Sequence, residues 1–377
     1  MRIGFDVRPF LKEETGVGIY FKNLLFSLAQ IDRNNEYCLF SSSFKDRFPP
    51  HKIPPLSKRE FRDFHLPVKL VNFCWYRLGW PSLDFFFRKK IDLSHSPTPL
   101  LLPSRGKKIV TVYDLFFVES PLLSNKEAKR DFLPKVESSL QKADGVITIS
   151  KFTKSQIINK FRVEESKIRV IYMGFDHHFW QQISSAQLSR LKAKYKLPPS
   201  FILFVGAVER RKNLPSLIKA LKIIHDRGVA IPLFVIGSEG EAYSQVKTEI
   251  KRQSLSNWIR ILGYIQEEEL RGFFKLASLL VVPSLEEGFG LPVIEALASG
   301  LPAVISRTGA LPEVAQEAAL YFNPLQPEEI ATQILRVLRD KKLAHWLITK
   351  GRQRAQDFSW LKTASQTLDF YYQVAAN

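Results

Sequence analysis

Short runs rich in valine, isoleucine and leucine alternate with helical patterns along the chain, and this alternation occurs in two successive sets. The first set opens with a buried strand at Arg2–Val7, a glycine-containing turn and a helical pattern over Ile19–Leu28. Such alternation favours a parallel sheet that is covered by helices on both faces. The remaining predicted strands are 36–40, 92–94, 108–112, 145–149 and 168–171 in the first set, and 201–206, 233–237, 259–263, 279–282 and 302–305 in the second. The sequence therefore predicts an α/β protein with two Rossmann-like domains.

The predicted boundary between the domains lies where the first set of strands ends. The aromatic segment His177–Trp180 gives way there to a polar, basic helix. We place the first domain at residues 1–178 and the second at residues 179–357. The length of 377 residues is that of two average domains, each large enough to bury a core.

The sequence also argues against several classes of protein. No stretch approaches about 20 uninterrupted apolar residues, so we expect no transmembrane helix. The opening residues, Met1–Asp6, form no apolar segment of the signal-peptide kind, so we expect a cytoplasmic protein. The cysteines, Cys38 and Cys74, are too few for a disulfide framework and lack the spacing of a metal site.

The charge of the chain is strongly basic and unevenly distributed. Lysine and arginine number 55 against 37 acidic residues, which gives a formal net charge of +18. Residues 41–110 hold 14 basic and 5 acidic residues, and they are rich in aromatic side chains such as Trp75, Trp80 and Phe85. This combination suits an anionic membrane surface or a nucleic acid, and a solvated basic face is the alternative. Because no nucleic-acid-binding motif accompanies the charge, we expect no nucleic-acid partner.

The most specific pattern is Pro283–Gly300, in which a predicted strand is followed by a glycine-containing loop and a helix with a proline near its start. Free N–H groups at a helix N-terminus bind phosphate, and Gly288 and Gly290 let the backbone approach a ligand. Glu295, one turn into the helix, suits a vicinal diol such as that of ribose. Glu287 suits a sugar hydroxyl or a developing positive charge. The alternative for Glu295 alone is that it complements the helix dipole.

A second pattern, Gly206–Asn213, follows a predicted strand of the second domain and contains the neighbouring cations Arg211 and Lys212. At a strand-to-helix turn such cations reach and neutralise a bound pyrophosphate. The alternative is a basic surface loop that is only solvated.

A third pattern, Thr15–Gly18, follows the first strand, where open α/β sheets bind ligands. Phe21 occupies the third glycine position of a Gly-x-Gly-x-x-Gly motif, and no acidic residue follows at the required distance. We therefore interpret the glycine pair as room for a ligand that the other domain holds. A nicotinamide-dependent oxidoreductase, the alternative for this motif, lacks the residues that it needs.

The order and spacing of these motifs resemble those of the retaining glycosyltransferases of family 4, which have a GT-B fold and a Glu-x7-Glu signature. The resemblance continues through Ser94–Pro97, Ala143–Ser150, Gly174–Asp176, Leu262–Tyr264, Leu311–Glu313 and Phe358–Trp360. It implies two Rossmann-like domains facing across a cleft, with an acceptor-binding domain first and a nucleotide-sugar-binding domain second. A C-terminal helix at about 358–377 would pack back onto the first domain.

The resemblance also implies an activity. Such a protein transfers a hexose from a nucleotide-sugar to a glycan with retention of the anomeric configuration, and it needs no cofactor or bound metal. The segments around Arg211 and Glu287 look most like those of mannosyl- and rhamnosyltransferases of surface-polysaccharide assembly, so the implied donor is GDP-mannose or a similar nucleotide-sugar.

Site roles follow from the same resemblance. Glu295 would hold the ribose hydroxyls, Arg211 and Lys212 the pyrophosphate, and Glu287 the donor sugar. Gly16 would border the phosphates. The other implied donor contacts are Gly288, Phe289, Gly290 and Leu291 at the phosphate and sugar, and Tyr264 and Ile265 at the base.

One position departs from the family pattern. The family usually has a histidine before the aspartate that follows the strand at 108–112, whereas this chain has Tyr113-Asp114. A tyrosine titrates near pH 10, so it does not change charge near neutral pH. An inactive relative that only binds the donor is therefore the alternative function. We expect a structural role for His95 in a Ser-His-Ser-Pro turn. The catalytic candidates are Glu287, Lys212, Arg211, Tyr113 and Asp114.

The basic stretch at 41–110 bears on the acceptor. Lipid-linked polysaccharide precursors carry anionic pyrophosphates, which suit a basic surface near a membrane. We therefore expect a glycan acceptor that is linked to a lipid. The protein would then lie peripherally on the inner face of the cytoplasmic membrane.

Overall fold

The computed structural model describes residues 1–10, 16–119, 126–177, 180 and 182–376. The chain folds into two compact units, Met1–Gly174 with Phe358–Asn377, and Phe175–Asp357. Each unit is built on a parallel sheet with helices, which confirms the predicted α/β class. The roles predicted for the units, acceptor binding in the first and donor binding in the second, stay predictions.

The sheet of the first unit is parallel throughout. Its strands are β1 (Arg2–Asp6), β2 (Glu36–Ser42), β3 (Arg59–Phe64), β4 (Leu93–Ser96), β5 (Lys107–Val112), β6 (Gly145–Thr148) and β7 (Ile168–Val170). They lie in the order β3-β2-β1-β4-β5-β6-β7, so the winding reverses between β1 and β4. In doubly wound sheets the ligand crevice lies at the carboxyl ends of the strands at this point. The helices are α1 (Gly16–Ile31), α2 (Val68–Phe73), α3 (Leu83–Phe87), α4 (Phe116–Glu119), α5 (Lys126–Lys142) and α6 (Lys151–Phe161).

The second unit repeats this plan. Its strands are β8 (Ile202–Val205), β9 (Leu233–Ile236), β10 (Ile259–Gly263), β11 (Leu279–Val282), β12 (Ala303–Ser306) and β13 (Ala319–Phe322). They lie in the order β10-β9-β8-β11-β12-β13, so the switch point lies between β8 and β11. The helices are α7 (Ser185–Tyr195), α8 (Leu214–Asp226), α9 (Tyr243–Arg252), α10 (Glu267–Leu276), α11 (Leu291–Ser299), α12 (Leu311–Ala315), α13 (Pro327–Arg339) and α14 (Lys341–Ala355). Every residue of β9 and β11 is buried, as expected for strands covered on both faces.

Two strands of the structure, β3 and β13, are absent from the sequence prediction. Both lie at the edge of their sheet. In β3 every residue after Arg59 is half-buried, and charged residues occupy four of its six positions. Since β3 carries no continuous apolar run, the criterion that identified the inner strands fails there, whereas β13 is apolar at every position and met that criterion without being predicted.

The C-terminal helix, α15 (Trp360–Ala376), packs against α1 in the first unit, as the family resemblance implies. The Tyr371 hydroxyl lies 2.5 Å from Nδ1 of His95, whose Nε2 lies 2.7 Å from Oγ1 of Thr111. Burial lowers the pKa of His95 to about 3, so the ring is neutral near pH 7. His95 therefore has a structural role, as predicted, but it lies within strand β4 and the prediction of a turn at this residue was wrong.

Across the described ranges, we find no helix that combines the length and apolar character needed to span a membrane.

Candidate active site

The loop between β11 and α11 carries the first glutamate of the Glu-x7-Glu pattern. The loop ends at Gly290, whose φ of 94° lies in the left-handed region. A Cβ at this position would lie 2.5 Å from Cδ2 of Leu311. Both observations call for glycine, because a larger residue would have to alter the backbone path into α11.

Glu287 is buried in this loop, and three side chains hold its carboxylate. Nη1 of Arg211 donates to Oε2 at 3.2 Å, Oγ of Ser284 donates to Oε1 at 2.7 Å, and Nζ of Lys212 also donates to Oε1. Only 7% of the Glu287 side chain and 10% of the Lys212 side chain are exposed. Burial alone would raise the pKa of Glu287, but Lys212 and Arg211 outweigh it and lower that pKa, so the carboxylate is ionised at neutral pH.

The two cations lie on a turn that follows β8. This turn is a single 3-10 turn at Arg210–Lys212, and Nε of Arg211 also donates to Oε2 of Glu209 at 2.8 Å. The backbone N–H of Leu285 donates to the carbonyl oxygen of Arg211 at 2.7 Å and joins the turn to the β11–α11 loop. Because β8 and β11 are neighbours at the switch point, their carboxyl ends bring the two predicted motifs together.

The last residue of β12 and the segment that follows it, residues 306–310, support the same loop. Oγ of Ser306 donates to the carbonyl oxygen of Ser284 at 2.6 Å. Gly309 has a φ of 62°, and a Cβ there would lie 2.7 Å from the backbone nitrogen of Glu287. The sequence motifs do not identify this segment as part of the site, and they assign no role to Ser284. A signal was present, because small and polar residues directly follow a strand adjacent to β11.

The electrostatics of this cluster favour an anionic ligand at the start of α11. Arg211 and Lys212 are balanced by Glu287 and by Glu209, a residue of the Gly206–Asn213 pattern to which the sequence assigned no role. The N-terminus of α11 adds a partial positive charge, and its N-cap residue, Gly290, provides no side-chain cap. Backbone N–H groups at such a helix start can bind a phosphate. Within the same described ranges, no group of three or more His, Cys, Asp or Glu side chains could hold a metal ion.

Glu295 lies on α11 and is half-buried. Burial raises its pKa to about 8, and the charge of Glu267 at the start of α10 contributes less. The carboxyl group is therefore mostly protonated at pH 7 and can donate a hydrogen bond as well as accept one. The predicted base contacts, Tyr264 and Ile265, directly precede α10; the Tyr264 side chain is exposed and that of Ile265 is buried.

Tyr113 and Asp114 follow β5 in the first unit. The Tyr113 ring packs edge-on against Tyr20, with ring centroids 5.2 Å apart, and its buried hydroxyl finds no hydrogen-bond partner among the residues described. Burial, with Tyr20 beside it, raises the pKa of Tyr113 well above 10. The carbonyl oxygen of Tyr113 accepts from Oγ1 of Thr153 at 3.2 Å, and Oδ1 of Asp114 accepts from N of Phe116 at 3.3 Å. The Tyr113 phenol is thus a packed, uncharged group.

The candidate residues fall into two groups. Gly16 is the exposed first residue of α1, and a Cβ there would meet no atom within 4 Å; Thr15 of the same motif lies outside the described residues. In the second unit the structure brings Arg211, Lys212 and Glu287 into direct contact. The remaining candidates of the second unit are Gly288, Phe289, Gly290 and Leu291 at the entry to α11, with Glu295, Tyr264 and Ile265; those of the first unit are Gly16, Tyr113 and Asp114.

Comparison with protein families matches both halves of the chain. Residues 15–179 match the model described as "Glycosyltransferase Family 4", and residues 188–354 match the model described as "Glycosyl transferases group 1". A similar curated protein is the O-antigen chain mannosyltransferase B of Escherichia coli, 29% identical over 384 residues, which cover 98% of this chain and 99% of that protein.

Solved structures share the fold of the whole chain. A sucrose-phosphate synthase from Thermosynechococcus elongatus superposes with a TM-score of 0.77 at 22% identity, over 100% of this chain and 99% of that chain. Anabaena HepE, solved in complex with UDP and glucose, gives a TM-score of 0.75 at 17% identity, over 99% of this chain and 100% of that one.

Proposed function

Since the chain belongs to the family 4, or group 1, glycosyltransferases and has their GT-B fold, we propose that it transfers a mannose-like hexose from a nucleotide-sugar to a growing glycan with retention of the anomeric configuration. The preference for mannose is supported by the name of the E. coli relative, an O-antigen chain mannosyltransferase. We propose GDP-mannose as the first donor to test. The UDP and glucose in HepE make UDP-glucose the second.

The observation that carries this proposal is the buried contact of Glu287 with Arg211 and Lys212 beside the N-terminus of α11. In the proposed complex the donor diphosphate binds the N–H groups of residues 289–291 and the two cations. Glu295 receives the ribose hydroxyls, and Glu287 lies at the sugar. These fixed charges and dipoles stabilise the leaving diphosphate.

The transfer itself needs few further groups. The bond between the sugar C1 and the donor phosphate oxygen breaks, and a bond forms between C1 and an acceptor hydroxyl oxygen on the same face. The hydroxyl proton leaves with the diphosphate. The protein contributes by holding the two oxygens close to C1 and by stabilising the charge that moves onto the diphosphate. At position 113 we expect the backbone carbonyl, together with Asp114, to take part in the transfer. The Tyr113 phenol takes no part, because it remains packed against Tyr20.

The acceptor that we propose is a glycan linked to a lipid through a pyrophosphate, in the assembly of a surface polysaccharide. The basic residues at 41–110 support this choice, because they suit an anionic bilayer surface. The protein would then act at the cytoplasmic face of the membrane.

The test is a donor panel of GDP-, UDP-, dTDP- and ADP-sugars with purified protein, with nucleotide release and glycan product as readouts. We expect one donor to be turned over, anomeric retention in the product by NMR, and no loss of activity with EDTA. Lys212→Ala should abolish turnover, whereas Lys251→Ala, an exposed lysine of α9, should leave it unchanged. The absence of turnover with every donor, or inhibition by the chelator, would contradict the proposal.

A second candidate function is donor binding without catalysis, which Tyr113 favours because its buried phenol replaces the histidine of the family pattern. The two functions differ in their response to Glu287→Ala. If the protein is an enzyme, cells that carry this substitution lose the glycan product. If it only binds the donor, and the variant keeps its fold and its donor affinity, the amount of glycan product in the cell stays the same.

A further inference from the structure

A groove of about 1260 Å³ runs along one face of the first unit. Three segments line it: residues 75–90, from a π-helical turn at Cys74–Leu78 to the end of α3; residues 100–105, between β4 and β5; and residues 134–142 of α5. Lys90 precedes β4 and Lys142 precedes β6, so this end of the groove lies at the amino edge of the sheet. The candidate residues after β5 lie at the opposite, carboxyl edge. None of these candidate residues lines the groove.

Positive charge dominates the groove. Among the described residues that line it, the one carboxylate is that of Asp84, which accepts from the backbone N–H groups of Ile91 and Arg105, both at 3.0 Å. Among the lysines, Lys89 is paired with Glu36 and Glu60. The lining cations that have no carboxylate partner in the described ranges are Arg88, Lys90, Arg105, Lys108, Lys135 and Lys142. Such a cluster is under mutual repulsion, which an anionic ligand would relieve.

Exposed apolar side chains border these cations. Leu78, Trp80 and Phe85 are between 58% and 63% exposed, although they are large and apolar. The rings of Trp80 and Phe85 lie 5.5 Å apart. The turn that carries them is fixed, because Nε1 of Trp75 donates to the carbonyl oxygen of Pro81 at 2.8 Å. This surface therefore presents its apolar groups in a defined place.

Helix α2, which directly precedes the π-helical turn, also carries exposed apolar side chains. Leu70 and Phe73 are also more than half exposed. Aliphatic side chains such as Leu70 and Leu78 offer no stacking surface to a nucleic-acid base, but they do partition into the acyl boundary of a bilayer. Unpaired cations next to exposed apolar and aromatic groups are complementary to the surface of an anionic bilayer. The cations suit its phosphate headgroups, and the apolar groups suit the acyl chains below them.

We propose that this groove is the membrane-docking site of the protein, with the phosphate headgroups of anionic lipids among its cations and with Leu78, Trp80 and Phe85 in the acyl boundary. The inference deepens the proposed function, since a lipid-linked acceptor requires the enzyme at a bilayer. Docking is separable from chemistry, because none of the lining residues is a donor or catalytic candidate.

The experiment measures binding of the full chain to vesicles by co-sedimentation, with pure phosphatidylcholine and with phosphatidylcholine containing 30% phosphatidylglycerol. We expect binding to the anionic vesicles only, and loss of binding at 1 M salt. The variant K90Q/R105Q/K142Q should bind about a hundredfold more weakly, at about tenfold for each 1.4 kcal/mol and about 1 kcal/mol for each cation. All three side chains are exposed, so the fold should be retained.

A matched control removes the same charge elsewhere. K251Q/K341Q/K342Q replaces three exposed lysines of the second unit, and its binding should stay within about twofold of wild type. The variant W80S/F85S keeps every cation and should bind about tenfold more weakly for each ring removed from the acyl boundary. Equal binding to neutral vesicles, wild-type binding by the groove variants, or equal loss in the control would each overturn the proposal.

Two further readouts separate the sources of phosphate and the two proposals. If K90Q/R105Q/K142Q keeps its vesicle binding and loses only turnover of a lipid-linked acceptor, the groove holds the acceptor's pyrophosphate and membrane docking is overturned. If it loses affinity for single-stranded RNA but not for vesicles, the ligand is a nucleic acid and docking is again overturned. If no donor raises the melting temperature while the vesicle results are as expected, the glycosyltransferase proposal fails and the docking site stands.

Discussion

Replacing Glu287 by glutamine tests whether this carboxylate holds the two cations of the site in place. The substitution keeps the shape of the side chain and removes its charge, so Lys212, only 10% exposed, loses its counter-ion. Removing one partner of a buried ion pair costs about 3–5 kcal/mol, because the other charge stays buried. Arg211 is 22% exposed and still has Glu209 as a partner, so we expect the lower end of that range, about 3 kcal/mol.

This loss is measurable as a change in melting temperature. In a unit the size of the second one, about 3 kcal/mol lowers the midpoint by about 6–12 °C. Adding GDP or UDP should restore part of the difference, because the diphosphate supplies the missing negative charge. The freed cations should also bind the nucleoside diphosphate more tightly in Glu287→Gln than in wild type, while the rate of sugar transfer falls. Calorimetric melting and titration, with and without nucleotide, measure both effects.

The pH dependence of this effect has a definite sign. The folded-state pKa of Glu287 lies below its ordinary value of 4.5, so the carboxylate stabilises the fold above that pH. Its contribution is lost as the pH falls through the folded-state pKa. The difference in melting temperature between wild type and Glu287→Gln should therefore disappear in acid.

An exposed ion pair serves as the control for Glu287→Gln. Asp226 pairs with Lys222 on α8, and the two side chains are 58% and 39% exposed. Asp226→Asn should change stability by no more than about 0.5 kcal/mol. If Glu287→Gln has the same melting temperature as wild type at neutral pH and binds GDP no more tightly, the carboxylate does not hold the cations in place and the reasoning is refuted.

Three further substitutions test other parts of the site. Glu295 has a pKa of about 8, so the fraction of its ionised form, the better acceptor for a ribose diol, increases between pH 7 and 9. Nucleotide affinity, measured by calorimetry, should therefore rise over this range in wild type and stay constant in Glu295→Gln. Gly290→Ala places a Cβ 2.5 Å from Leu311 on a backbone of left-handed conformation, so it should lower the free energy of unfolding by about 1–3 kcal/mol and weaken nucleotide binding. Gly16→Ala is the control, because its Cβ would lie in open space and should leave the melting temperature unchanged. Tyr113→Phe removes a buried hydroxyl that has no hydrogen-bond partner in the described residues, so it should raise the melting temperature. Its activity should stay within about twofold of wild type. A tenfold loss of activity would show that the phenol acts in catalysis.

The inner strands and the two main motifs could be predicted because their determinants are local. A strand such as β9, buried on both faces, must be apolar at every position, and the turns after β8 and β11 follow directly from such runs. The edge strand β3 lacks that constraint and is rich in charged residues, so it could not be predicted in this way; β13, the edge strand of the other sheet, is apolar and is also absent from the prediction.

The partners of the predicted site residues could not be predicted, because they are set by tertiary contacts. The pairing of Glu287 with Lys212 joins residues that are 75 positions apart in the chain, and Ser306 reaches Ser284 from a third strand. The protonation of Glu295 likewise depends on how deeply α11 is buried. A single sequence gives the residue types at each strand end, and only the order of strands in the sheet decides which ends meet.

The return of α15 to the first unit has a consequence for biosynthesis. Tyr371 fills the place beside His95, and Phe370 lies against the backbone of Gly145, where even a Cβ would come within 2.9 Å of its ring. During synthesis on the ribosome, α15 cannot cover these surfaces of the amino-terminal half until all of residues 175–357 have been translated. The half that emerges first is thus the half that matures last, and a chain shortened by its final 18 residues would leave that half with an open apolar face.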